Sequence, residues 1–312
     1  MLRALKRKEY PLKKYKAYSI FMGIALAAVL LIVSACSAPG GTSSNGNSSL
    51  TVMQVLQNSA NAMQKLKTVH FDTTTNGSFQ GTSSSSASSP AAVTVNLKGS
   101  GDELLPDQQQ AHITLNNMIN LAEVVTTDKV YVQNTQGKWY VLDKSLLKGQ
   151  AGILFSGSNV FNMNDLLPML QEVQLTDHGD QSLNGQSLRH ITATLDKNAL
   201  QKILTSNSQL NSALGQQNIS KILSSTKSFK STLDVWIDET NFYVHRTELK
   251  VNADADLSSL ATPSANGNIT LPSNATVALD AIVDLSKFNQ PVTITPPANA
   301  IPTDNPAVVF GG

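Results

Sequence analysis

From Thr68 onward the apolar residues of this chain recur at every second position, and that alternation limits its fold more than any other feature. Val69 and Phe71 alternate with His70 and Asp72, Val93, Val95 and Leu97 with Thr94 and Asn96, and Ile113 and Leu115 flank Thr114. Residues 119–127, Val130 with Val132, and Trp139-Tyr140-Val141-Leu142 follow, separated by turns at Thr127-Asp128 and near Gly137. A hairpin over 173–179 and 186–195 turns at Leu183-Asn184-Gly185. Leu233, Val235 and Ile237 then share one face with Asp234, Trp236 and Asp238 on the other, and strands over 242–251 and 275–285 close the pattern. About ten or eleven strands with short connections make an antiparallel sheet, because a parallel one needs a helix between successive strands.

Helical spacing is confined to a few places. Val52, Leu56, Ser59/Ala60, Met63 and Leu66 predict an amphipathic helix after Ser48-Ser49, with Lys65 and Lys67 in its last turn against the negative end of the dipole. Asn164 caps a predicted helix start at Asp165 to Leu170, and residues 197–225 carry a thin apolar stripe at Leu200, Ile203/Leu204, Leu210, Leu214 and Ile222/Leu223. Few helices beside many strands make the class α+β, with a large curved antiparallel sheet. The low-complexity stretches at 81–90 and 258–275 are expected at hairpin tips, since alternation resumes on both sides of each.

The first 35 residues differ from the rest. Seven basic residues and one acid, Glu9, occupy 1–16, and fourteen apolar residues run from Ile20 to Val33. That run is short for a bilayer span and suits a secretory signal. It ends in Val33-Ser34-Ala35-Cys36, which resembles the bacterial lipobox. The resemblance implies cleavage before Cys36 and a diacylglyceryl group on its thiol, with residues 37–49 as a Gly/Ser tether of roughly 20 Å. The expected location is the outer side of a bacterial cytoplasmic membrane, held there by the N-terminal lipid anchor.

Composition then removes several functional classes. Beyond residue 35 the chain has 277 residues, enough for one or two domains, with 16 basic and 21 acidic side chains. A net of about −5 excludes the concentrated positive charge that nucleic acid requires. Cys36 is the single cysteine, so there is no internal disulfide and no thiolate zinc site. His70, His112, His178, His190 and His245 include no i, i+4 pair and are expected at exposed or rim positions of strands. No G-x-S-x-G elbow occurs, and Asn252, Asp254 and Asp256 lack the rest of a calcium loop. Asp102-Glu103 and Asp238-Glu239 form a carboxylate pair only if folding unites them. No catalytic set, metal or cofactor is expected.

A family resemblance rests on the order of elements. The lipobox cysteine, the tether, the helix running into "LKTVHFD", the strand "GKWYVLD", the hairpin "LDVWIDETNFYVHRTEL" and the closing "LSKFNQPVTITPPANA" together resemble the bacterial LolA/LolB-like and LppX/LprG-like lipoproteins, from about Leu50 to Ala300 with a tail at 301–312. The resemblance implies a half-barrel of antiparallel strands wrapped over helices, enclosing an apolar cavity that carries acyl chains. Carried over residue by residue are the anchor at Cys36 and the Trp236-Ile237-Asp238 strand end with its return from Tyr243 to Arg246.

On that basis the candidate lining is Val69, Phe71, Val93, Val95, Ile113, Leu115, Leu233, Val235 and Ile237. Leu154, Phe155, Phe161 and Met163, in a stretch from Ile153 interspersed with glycine and serine, are candidates for a movable cover, with an ordinary buried connection as the alternative, and Leu166 and Leu167 are further cavity or cover candidates. With aromatic residues at 5%, the sheet either flattens onto its helices or keeps a hollow, and an empty hollow costs on the order of 24 cal/mol per Å³. The expected function is lipid binding or carriage by a monomer whose partners are membrane lipids or an acylated ligand. The alternatives are an envelope-sensing or protein-interaction module on the same fold, and a cryptic hydrolase.

Overall fold

The computed structural model describes residues 50–82, 91–147, 172–206, 220–221, 223–256 and 274–305. The signal segment, Cys36, the tether, most of both Ser-rich insertions and the 148–171 stretch lie outside them.

Helix α1 spans Val52–Met63 and opens on a capping box. Thr51 Oγ1 accepts from the Gln54 amide at 3.2 Å and Gln54 Oε1 accepts from the Thr51 amide at 2.8 Å, so two amides that the helix leaves unpaired are satisfied. Its buried stripe is Val55, Leu56, Ser59, Ala60 and Met63. The helix ends at Gln64, so Lys65 and Lys67 lie beyond its last turn, a correction to the dipole pairing expected of them. Helix α2 spans Lys197–Ser206, where Asp196 Oδ1 caps the Ala199 amide at 2.7 Å.

The strands are β1 (Thr68–Thr82), β2 (Ala91–Leu104), β3 (Gln108–Leu115), β4 (Ile119–Val125), β5 (Lys129–Gln133), β6 (Trp139–Asp143), β7 (Gln174–Leu183), β8 (Gln186–Leu195), β9 (Thr226–Ile237), β10 (Val244–Asp256), β11 (Asn274–Ser286) and β12 (Ile301–Pro302). They form one open sheet in the order β12-β6-β5-β4-β3-β2-β1-β11-β10-β9-β8-β7. Two meanders, β1 to β6 and β7 to β11, are joined where β11 pairs antiparallel with β1. Tight turns set the registers: Asn116 and Asn117 both take positive φ between β3 and β4, and Asn184-Gly185 do so between β7 and β8, as mirror-image hairpin turns require. The tail contributes one unforeseen element, since Ile301 and Pro302 pair in parallel with Tyr140 and Val141.

Registry places the odd-numbered positions of β1, β2, β3 and β11 on one face. Phe71 pairs with Gly101 and Leu285, Gly99 with Ile113, and Ala281 with Leu249. This inner face carries the main core, in which Val55, Leu56, Ala60 and Met63 of α1 pack with Val69, Phe71, Ile191, Leu233, Val235, Ile237, Leu249 and Val283.

Candidate functional site

The inner face divides into two parts. From β1 toward β7 it is filled by α1, together with Ala199 and Leu200 of α2. From β2 toward β6 it carries two separate apolar groups: Leu97, Ile113 and Leu121, flanked by Leu115 and Ile119, and then Val125, Val130, Val132 and Leu142. Among the described residues, no side chain of α1 or α2 takes part in either group. Phe71 marks the boundary, its ring lying across β2 at Gly101. A Cβ on Gly101 would meet Phe71 Cζ at 2.7 Å and the Gln110 carbonyl at 2.3 Å, so only glycine admits both.

Between the halves lies a polar patch. Glu103, Gln109 and Glu123 are 3%, 1% and 1% exposed, on the same face as Val69 and Ala111. Glu103 pairs across the β2–β3 ladder with Gln109, whose Nε2 donates to Glu123 Oε1 at 2.9 Å. Burial alone pushes the Glu103 carboxyl up to about 8, so at neutral pH it is mostly protonated within this buried polar patch.

The same face holds one buried charge network. Arg189 donates to Asp177 from Nε and a terminal nitrogen at 3.3 and 2.7 Å, to Glu239 at 2.6 Å and to the Leu50 carbonyl at 3.0 Å. Burial pushes the Asp177 carboxyl up, but the Arg189 hydrogen bonds and the Gly179 amide outweigh it and hold the group below its usual range. The network pins the start of α1 to β7, β8 and the β9–β10 turn.

The opposite face carries a row of stacked rings. His190 stacks on His178 at 4.4 Å and on Trp236 at 4.3 Å, with Arg246 over the indole at 6.0 Å. His190 Nε2 lies 2.8 Å from Asp234 Oδ1, and Thr192 Oγ1 donates to the same oxygen. Burial raises the Asp234 carboxyl, yet these two hydrogen bonds bring it below the ordinary value. With the Thr192 proton directed at Asp234, the hydroxyl accepts from His178, whereas a nucleophile needs its proton directed at the base.

An open depression of about 860 Å³ on this face is lined by Asp72, Asp238, Tyr243, His245, Asp284 and Phe288 among others. Its carboxylates are engaged: Asp284 by Arg246 at 2.6 and 2.8 Å, Asp238 by the Thr240 amide at 2.7 Å and Asn241, and Asp72 by His70 at 3.4 Å. This polar lining suits no acyl chain.

Several sequence-based expectations change here. His112 and His178 are exposed, but His70, His190 and His245 are half-buried, and His70 Nδ1 meets Asp102 at 2.7 Å. Asp234 and Trp236, on the face opposite Leu233, Val235 and Ile237 as expected, are each 9% exposed and belong to the ring row. The pairs Asp102-Glu103 and Asp238-Glu239 are not united: Asp102 serves His70 and Glu239 serves Arg189. Asp254 accepts from Ser228 and Thr276 at 2.5 and 2.8 Å, and among the described residues no cluster of histidine, cysteine or carboxylates could hold a metal.

Of the candidate lining residues, Val69, Phe71, Leu233, Val235 and Ile237 pack in the α1-filled core. Ile113 and Leu115 belong to the second half, and Val93 and Val95 are half-buried on β2. Cys36 and the cover candidates Leu154, Phe155, Phe161, Met163, Leu166 and Leu167 lie outside the described residues.

The family model for LppX_LprAFG lipoproteins matches residues 51–294. The chain belongs to the LppX_LprAFG lipoprotein family. Solved structures like this LppX_LprAFG chain include LprF from Mycobacterium bovis (16% identity, 78% of this chain and 96% of that one, TM-score 0.43). Another is the lipoprotein LppX from Mycobacterium tuberculosis (17% identity, 78% and 100%, TM-score 0.40). A putative outer membrane lipoprotein-sorting protein domain from Vibrio parahaemolyticus is more distant (11% identity, 76% and 92%, TM-score 0.25). No curated protein matches the chain in sequence.

Proposed function

We propose that this chain is a non-enzymatic extracytoplasmic lipoprotein, anchored through Cys36, that carries lipid acyl chains against the inner face of β2 to β6. One observation supports the reading: Leu97, Ile113, Leu121 and Leu142 are at most 8% exposed, yet among the described residues no side chain of α1 or α2 joins their groups. Membership of a lipoprotein family supports it. In this reading Ile113, Leu115, Val93 and Val95 line the acyl site, residues 154–167 cover it, and Val69, Phe71 and the β9 residues form its wall. A sixteen-carbon chain removed from water there contributes roughly 12 kcal/mol before ordering costs, at about 0.8 kcal/mol per methylene.

Native mass spectrometry with lipid extraction tests this on the chain from residue 37 onward, secreted without its anchor. Stoichiometric acyl lipid is the expected result. Repeated recovery of empty protein that takes up no added lipid would overturn the reading and favour a protein-interaction module.

A further inference from the structure

The open depression of about 860 Å³ takes no part in the acyl-chain reading, and its lining has a chemistry of its own. It sits where the β7–β8 turn, the β9–β10 turn and the end of β11 meet. Along one side the Phe288 ring stacks on Tyr243 at 4.7 Å and stands nearly perpendicular to His245 at 5.0 Å, so three half-buried rings adjoin. Tyr243 Oη accepts from Asn289 Nδ2 at 3.0 Å and keeps its own proton to donate. Among the described residues neither ring nitrogen of His245 is hydrogen-bonded. Burial holds this imidazole below its ordinary value against the pull of Asp238, so at neutral pH it is mostly uncharged and offers one donor and one acceptor. Nearby carboxylates are held in fixed orientations: Arg246 grips both oxygens of Asp284 at 2.6 and 2.8 Å, leaving each a second lone pair, and the Thr240 amide and Asn241 fix Asp238.

We propose that this depression is a binding site for a neutral oligosaccharide, whose ring C–H groups lie against the Phe288–Tyr243 stack while its hydroxyls pair with His245, Tyr243 and Asp284. Other ligand classes match the lining less well. An anion is repelled by Asp72, Asp238 and Asp284, and a hydrocarbon leaves oriented polar groups without partners. A small cation uses the carboxylates alone and fills a fraction of the space. A sugar hydroxyl both donates and accepts, which suits an uncharged imidazole, a phenol and a carboxylate together, and a pyranose ring also presents an apolar face to an aromatic one. The site lies across the sheet from the inner face of β2 to β6, so the proposal stands apart from lipid carriage.

The test uses the full chain in a detergent without a sugar headgroup. Cellotetraose, mannotetraose and chitotetraose are the neutral probes and tetragalacturonate the anionic comparison, with affinity read by saturation-transfer NMR titration. At least one neutral probe is expected to bind, and tetragalacturonate about tenfold more weakly than it. His245→Leu should weaken binding about tenfold, whereas His245→Gln, which keeps a donor and an acceptor, should stay within about threefold. Gln186→Trp, an exposed change that fills the depression from its rim and leaves the core alone, should abolish binding. Binding of none of the three neutral probes, a preference for tetragalacturonate, or undiminished binding in Gln186→Trp overturns the inference. If His245→Leu does not fold, Gln186→Trp still decides the matter. A purely structural His245 would change the melting temperature and leave the affinity of the folded protein alone. None of these outcomes bears on lipid carriage, which lipid extraction decides.

Discussion

Arg189 grips Asp177 with two hydrogen bonds while both side chains are almost wholly out of water, 1% and 4% exposed. Removing one partner strands the other's charge in the core. Asp177→Ala is therefore expected to lower unfolding free energy by about 3–5 kcal/mol, and Arg189→Met with Asp177→Leu together by less than the two single changes combined. Urea unfolding followed by circular dichroism reads both. The carboxyl's folded pKa is depressed below 3.8, so its contribution is complete above that pH and is lost as pH falls through the folded value. The Asp177 part of the stability should accordingly fade only below about pH 4.

Glu103 has the opposite sign. Its acid is pushed from 4.5 to about 8 on folding, so between those values the folded chain holds a proton that the unfolded chain has released. Stability then falls as pH rises through that window, by an amount on the order of 1–3 kcal/mol after internal relaxation. Glu103→Gln, which cannot ionise beside Gln109 and Glu123, should gain on the unaltered protein from pH 5 to pH 8 in urea midpoints. Parallel pH profiles for the two proteins would contradict this.

Gly101→Ala should cost about 2–3 kcal/mol, because the new methyl group meets both Phe71 and the Gln110 carbonyl. Adding Phe71→Ala should not restore stability, since the backbone oxygen at 2.3 Å remains in the way. Thermal melts of the single and double variants separate the two contacts.

Cys36→Ser removes the proposed attachment point. Palmitate labelling should disappear and the protein should leave the firmly membrane-bound fraction. Unchanged labelling and partitioning would refute the anchor.

Alternation in the sequence was a reliable guide wherever each strand faces core on one side only. It located the strands of both meanders and, at Asn184-Gly185, a turn, because residue parity is a local property that the ladder preserves. Its failures have a common cause: parity tells which residues share a face, not what lies against it. Trp236 and Asp234 fall on the outward parity and are still covered, because His190 and Arg246 from neighbouring strands stack over them. Glu103, Gln109 and Glu123 carry the inward parity of Leu97, Ala111 and Leu121, and that phase was the available signal. Adjacent carboxylates such as Asp102-Glu103 do not reveal the patch, since it forms only when three strands align. The pairing of Ile301 with Tyr140 spans more than a hundred and fifty residues and leaves no local mark.

That last short strand has a consequence for life in a crowd. An open sheet has two margins at which another copy can dock its own backbone, the first step toward fibrous aggregation. At one margin β12 extends for only two residues and ends in Pro302, which has no amide hydrogen to offer. At the other, β7 is bent by an irregularity between Asp177 and Gly179. A newcomer therefore finds no long straight template at either margin, which protects any population of such molecules packed side by side in a plane.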